Sequence, residues 1–131
     1  MTTPLWCLLV VALLPYVLAG FGTWLRGREL GHIDNNTPRE QWKSVRGPGI
    51  RIYAAQANAW EALGLFTAAV VVAHLAGAAA GASATASVVF VLSRIAHALC
   101  YALDAAVMRS VVFMIGFFSV LTLFGLAIAA G

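Results

Sequence analysis

Between Ile50 and Leu103 the chain reads IRIYAAQANAWEALGLFTAAVVVAHLAGAAAGASATASVVFVLSRIAHALCYAL. As one helix at about 1.5 Å per residue this would extend roughly 80 Å, more than twice the ~30 Å hydrocarbon core of a bilayer. The stretch must therefore turn back on itself. The run Gly77-Ala-Ala-Ala-Gly-Ala-Ser83 supplies the glycines and small residues that permit the reversal, and it divides the stretch into spans over residues 50–76 and 84–104. Upstream, an apolar run over residues 4–25 ends at Arg26-Gly27-Arg28-Glu29. Downstream, a fourth run covers residues 108–130, after a break near 103–107 that carries neither proline nor glycine. The expectation is an all-α membrane protein: a single four-helix transmembrane bundle over residues 1–131, with a polar loop over 26–49.

Composition leaves little alternative. Of 131 residues, 62% are hydrophobic and only 10% charged. The mean hydropathy of +0.90 lies far above that of soluble domains, which cannot hide so much apolar surface. Residues Leu5 to Phe21 resemble a signal peptide, but they lack a basic leading region and exceed the usual apolar length, so they read as a mature helix. Cys7 and Cys100 both sit in apolar stretches, outside any zinc-ligand spacing and outside any disulfide framework. Both are expected as buried thiols, and no metal is expected. His74, alone in an apolar run, reads as a packed or outer-side residue.

Orientation follows from the basic residues. Arg26, Arg28, Arg39, Lys43 and Arg46 crowd the 26–49 loop, while the Gly77–Ser83 turn carries no charge. The positive-inside tendency places the loop in the cytoplasm and both termini outside, in a multi-pass protein of the bacterial inner membrane. Within the loop, Thr37-Pro38-Arg39-Glu40 can open a short helical turn. The net charge of +3 is thus a local basic apron facing lipid headgroups. It lacks the interleaved aromatics of a nucleic-acid surface.

Polar residues inside the spans fall on two stripes. At 100° per residue, Arg51, Asn58 and Glu61 project within about 80° of arc from the second span. In the third, Arg94, His97, Tyr101 and Asp104 share a stripe, and Arg109 opens the fourth span at the same membrane face. A bare Arg94 or Glu61 against lipid would cost several kcal/mol, so these side chains are expected to face inward and Glu61 to pair with Arg94. Polar glue between helices accounts for one such pair. Seven polar side chains with Arg109 beside them exceed what assembly needs and mark a site. Guanidiniums, an amide, a histidine and a tyrosine beside an apolar groove suit a small carboxylate-bearing anion and a lipophilic molecule. A thiol near an arginine ionises more readily, which points to thiol conjugation onto lipophilic electrophiles. Cys7 and Cys100 are poorly placed for that work, so the thiol would arrive with a cofactor. Polar groups clustered at one face, with an apolar remainder, disfavour a transporter or channel.

Two segments carry a family resemblance. Arg51-x-x-x-Ala55-Gln56-x-Asn58-x-x-Glu61, and Arg94-Ile-Ala-His97-x-x-x-Tyr101 followed by Arg109-Ser110, resemble signatures of the membrane-associated proteins in eicosanoid and glutathione metabolism, the MAPEG family. The likeness covers essentially the whole chain. It implies a homotrimer with glutathione bound between neighbouring protomers near the cytoplasmic face. By position, Arg51, Asn58, Glu61, Arg94, His97 and Tyr101 would hold glutathione and Arg109 would stabilise its thiolate, with Ser110 beside the sulfur. Arg26 or Arg28 would meet a glutathione carboxylate. Some family members carry further basic residues where this chain has Ala57, and a histidine where it has Gln56. The implied activity is a glutathione transferase acting on lipophilic electrophiles in the membrane, with lipid hydroperoxide reduction as a related reaction. The rival reading is a non-catalytic lipid-binding or scaffold trimer.

The orientation is open to direct measurement. A cysteine introduced as Asn35→Cys is expected to resist an impermeant thiol reagent in intact cells and to react once the membrane is opened. Ready labelling in intact cells would invert the topology.

Overall fold

The computed structural model describes residues 1–131. Four long helices form the bundle, and a short polar segment links the first two. Helix α1 is Thr3–Leu30. Helix α2 is Pro38–Gln41, continued by a 3-10 turn at Trp42–Ser44. Helix α3 is Gly47–Leu75, α4 is Ala80–Ala102 and α5 is Ala106–Ala130. The four long helices are each apolar and long enough to cross a membrane. The chain is an integral, multi-pass membrane protein. Only 30 of its 131 residues are buried, so most apolar side chains look outward, as a lipid surrounding requires.

The termini lie at the same end of the bundle as the 76–79 turn, because Thr2 and Thr3 share a cavity with Gly77 and Ala78. The polar loop caps the opposite end. Between them, Phe66 of α3 stacks on Phe90 of α4 at a ring separation of 4.1 Å. Around that pair Val11, Val70, Val120 and Leu123 fill the larger core. A smaller core of Leu18, Ile52, Ala55 and Ala59 joins α1 to α3 nearer the loop. Small residues recur on the buried face of α3 at Ala55, Ala59, Ala69 and Ala73. In lipid, where helices gain no hydrophobic drive to associate, such a seam lets backbones approach closely.

Helix ends differ from the expected spans for identifiable reasons. Helix α1 runs past residue 25 to Leu30 and stops at Gly31, whose φ of 75° is left-handed. The 26–49 loop correspondingly shrinks to residues 31–46. That segment is well tied. The Asp34 carboxylate accepts the Thr37 hydroxyl and the amides of Thr37 and Asn36, while the Asp34 amide donates to Gln41 Oε1 at 2.9 Å. The Thr37 hydroxyl, then the two amides, hold the Asp34 carboxyl below its ordinary value. Stability from this hub is present above the unfolded carboxylate range and fades as pH falls through the lowered value. Glu29 reaches across to accept the Arg46 amide at 2.5 Å.

The turn expected over residues 77–83 is tighter, and α4 already begins at Ala80. Helix α3 ends in a Schellman motif, with Ala78 N–H bonded to Ala73 O and Gly77 N–H to His74 O, at a Gly77 φ of 69°. The break before α5, which lacks glycine and proline, uses the same motif. Ala105 N–H reaches Cys100 O and Asp104 N–H reaches Tyr101 O, with Asp104 at φ 58°. Aspartate tolerates this left-handed position better than most residues but less well than glycine. Asp104→Gly is therefore expected to keep or raise the unfolding temperature in detergent, and Asp104→Ala to lower stability by about 1 kcal/mol relative to the glycine variant. Equal behaviour of the two variants would show that the left-handed turn does not limit stability.

Candidate functional site

Arg94 enters the bundle from α4 and is only 4% exposed. Its guanidinium lies between the rings of Phe90 and Phe113, 5.4 Å from each centroid. It donates to Asn58 Oδ1 at 3.3 Å and reaches the carbonyls of Val112 and Phe113 at 3.5 Å. Every one of these partners is neutral. The expected Glu61–Arg94 ion pair does not form: the chain's ion pairs within 4.0 Å are Lys43–Glu40 and Arg51–Asp104. Glu61 is exposed instead, on the rim of a cleft of about 130 Å³ that it shares with Asn58 and Arg94. The reason is rotational. Packing of α3 turns Asn58 to Arg94 and leaves Glu61, about 60° away round the helix, exposed at the outer side. Gly116 of α5 makes room for the guanidinium, since a Cβ there would lie 2.8 Å from an Arg94 terminal nitrogen.

A second group lies between α1, the loop and α3. Arg26 is 3% exposed, donates to Pro38 O at 3.1 Å and lies 5.1 Å from the centroid of the Trp42 ring. Its Nε is buried with no partner. The residue lines a cleft of about 500 Å³ with Asn35, Arg39, Tyr53, Gln56 and Trp60. Gln56 and Asn58, about 200° apart on α3, therefore serve opposite faces of that helix. Arg39, Tyr53 and Asn35 were not singled out by the sequence pattern. The available signal was the i, i+3 spacing of Tyr53 and Gln56 inside the second-span motif.

The third group is a column on α4 and α5. His97 is buried and meets the Tyr101 ring edge-on at 5.2 Å. On Tyr101 lies the Arg109 guanidinium, 4.4 Å from the ring centroid. Arg109 is half-buried and Ser110 exposed, the latter donating to Ala106 O at 3.3 Å. The remaining candidates have local duties. Arg51 donates to Tyr101 O at 3.1 Å and to Ala102 O, and lies 3.7 Å from Asp104, so it satisfies the carbonyl end of α4. Arg28 is exposed and stacks over Trp24 at 4.9 Å, outside the Arg26 cleft. Arg94 and His97 both meet the Phe113 ring, so the Arg94 group and the α4–α5 column adjoin, while the Arg26 cleft shares no residue with either.

The fold and its polar residues define a polytopic four-helix membrane bundle with buried arginines on α1 and α4. Residues 3–129 match the model of the MAPEG family, and the chain belongs to that family. Its members are membrane proteins of glutathione and eicosanoid metabolism; they include glutathione transferases and related enzymes as well as non-catalytic proteins. Comparison with curated proteins and with solved structures finds no match.

A buried cation without a counter-ion is tolerated rather than stabilising. Arg94→Met, which keeps the volume between Phe90 and Phe113, is expected to leave the unfolding temperature unchanged or higher, whereas Arg94→Ala lowers it through lost packing by about 2 kcal/mol. Glu61→Gln should be silent, since no ion pair is broken. Destabilisation by Glu61→Gln as large as that of Arg94→Ala would restore the sequence-based pairing.

Proposed function

We propose that the protein is a glutathione-dependent transferase acting on lipophilic electrophiles from within the membrane, working as a homotrimer. The observation that carries this reading is the pair of buried guanidiniums, Arg26 and Arg94, with no carboxylate within 4.0 Å of either. An anion brought into contact with them gains charge-assisted hydrogen bonds in a low-dielectric setting. The residues fit a carboxylate-bearing tripeptide. Arg26 and Arg39 line a cleft of about 500 Å³, where Tyr53, Asn35 and Gln56 offer donors and acceptors for peptide groups. Glu61, free of any cation in the chain, suits an ammonium group.

The separation of the Arg26 cleft from the other polar residues supports the trimer as well. Arg109 and the Arg26 cleft lie on different faces of one protomer, and a neighbouring copy is the natural way to bring them around one ligand. Glutathione supplies the thiol. Arg109, fixed on the face of Tyr101 with guanidinium N–H groups to spare, holds the sulfur as thiolate while its proton leaves to solvent. The sulfur–carbon bond then forms as the electrophile's leaving group departs with its electron pair. The exposed apolar faces of α4 and α5 give a lipophilic electrophile its route from the membrane.

Isothermal titration in detergent is expected to show glutathione binding at millimolar concentration or better, and its absence would favour the non-catalytic alternative. Arg109→Ala should keep trimer and glutathione binding while losing thiolate absorbance at about 240 nm. Lowering a thiol pKa by about two units corresponds to about 2.7 kcal/mol, so kcat/KM is expected to fall roughly 20- to 100-fold. Parental turnover in that variant would leave Arg109 as a mere anchor of α5.

A further inference from the structure

The cleft beside Arg26 has no aspartate or glutamate among its walls, yet two of its lining residues are cations. They arrive on different elements, Arg26 from α1 and Arg39 from the short helix α2. The carboxylates of the loop are committed elsewhere. Asp34 accepts the amides of Asn36 and Thr37 with the Thr37 hydroxyl, and Glu40 pairs with Lys43 at 2.6 Å. Arg39 itself enters no ion pair. Two guanidiniums that share a cleft without an acid repel each other, and an anion between them relieves the repulsion.

The backbone that carries Arg39 is fixed on both sides of it. Arg26 Nη1 donates to the carbonyl of Pro38, the residue just before Arg39, at 3.1 Å. Gln41, two residues after it, is buried, accepts the Asp34 amide at 2.9 Å and donates to His32 O at 3.1 Å. Trp42 meets the Arg26 guanidinium at 5.1 Å and stacks on Tyr53 at 4.7 Å, which joins α1, the loop and α3 at the cleft. The walls are thus in place before a ligand enters, and little ordering opposes binding. Within Arg26, Nη1 is used on Pro38 and Nε is enclosed, whereas Nη2 is neither bonded within the chain nor enclosed. Arg39 is exposed along the cleft.

We propose that Arg39 is a specificity-determining residue of this cleft: together with Arg26 it selects a peptide-like ligand with two carboxylates over one with a single carboxylate. The inference rests on the glutathione reading above and deepens it, since glutathione bears a carboxylate at each end. Two cations on separate walls match two separated anionic groups better than one compact oxyanion, which a single guanidinium fork can take by itself. Asn35, Gln56 and Tyr53 supply neutral donors and acceptors for the peptide groups between the charges. The volume of about 500 Å³ lies in the range of small-ligand sites. Arg39 stays in contact with water, so its share is moderate and weakens with salt.

Isothermal titration of the full-length protein in detergent tests this with glutathione and its two monoethyl esters, one at each carboxylate. The parent is expected to bind glutathione about tenfold more tightly than either ester. Arg39→Gln is expected to lose the preference over one of the two esters by losing affinity for glutathione, and Arg39→Lys, which keeps the charge without the fork, to retain part of it. Since Arg39 enters no ion pair, both variants are expected to unfold at the temperature of the parent. A parent that binds the esters as tightly as glutathione, or an Arg39→Gln that keeps both preferences, would overturn the proposal while the transferase reading stands. Loss of all binding in Arg39→Gln with none restored in Arg39→Lys marks a structural role and overturns it too. If the parent binds no glutathione, the transferase reading falls, and glutarate decides the cleft separately. The proposal then survives only if this bare dicarboxylate raises the unfolding temperature of the parent and not that of Arg39→Gln.

Discussion

A guanidinium held inside an apolar bundle without a neighbouring carboxylate constrains everything within reach of it. Charge cannot simply be placed in hydrocarbon, and Arg94 is accommodated by neutral groups arranged to spread it. Phe90 and Phe113 present their faces, Asn58 turns its oxygen inward and two carbonyls of α5 come within reach. Gly116 is the spatial condition for this, because any larger residue would collide with the guanidinium. One side chain thereby ties α3, α4 and α5 together. A carboxylate partner would have stabilised the same charge more simply, and its absence leaves the cation able to reward an incoming anion.

The loop end solves a different problem with the same residue type. Arg51 is spent on the last carbonyls of α4, where a cation completes both hydrogen bonding and the helix dipole. Arg28 covers an aromatic ring at the surface. Arg26 alone among these is buried with a nitrogen unpartnered. Six arginines concentrated near one membrane face therefore divide by burial and by partners into structural and available ones, a division that charge counting cannot make.

The number of spans and their approximate bounds were legible because bilayer thickness fixes helix length, and an apolar stretch of that size must reverse. The Gly77 turn was legible through glycine's access to positive φ. The reversal at Asp104 was not, since aspartate gives a weak signal for a left-handed residue. Among candidate site residues, the shared stripe of His97 and Tyr101 followed from helical spacing, whereas for Arg109, on the next helix, only the membrane face was legible. The partner of Arg94 did not. Asn58 and Glu61 are separated by three residues and about 60° of arc, and which of them meets α4 depends on helix rotation set by packing across the bundle. The cleft around Arg26 was partly hidden for a related reason, because its walls include the folded loop, whose shape depends on Asp34, Gln41 and Glu29 acting together.

The two ends of the bundle offer positive potential in different forms. At the loop end it comes from guanidiniums, which are always charged and reinforced by the basic loop. At the other end, with no acidic residue near, it comes from fixed backbone amides whose strength depends on water being excluded. The stacked Phe66–Phe90 core lies between them and keeps either polar end from extending through the hydrocarbon.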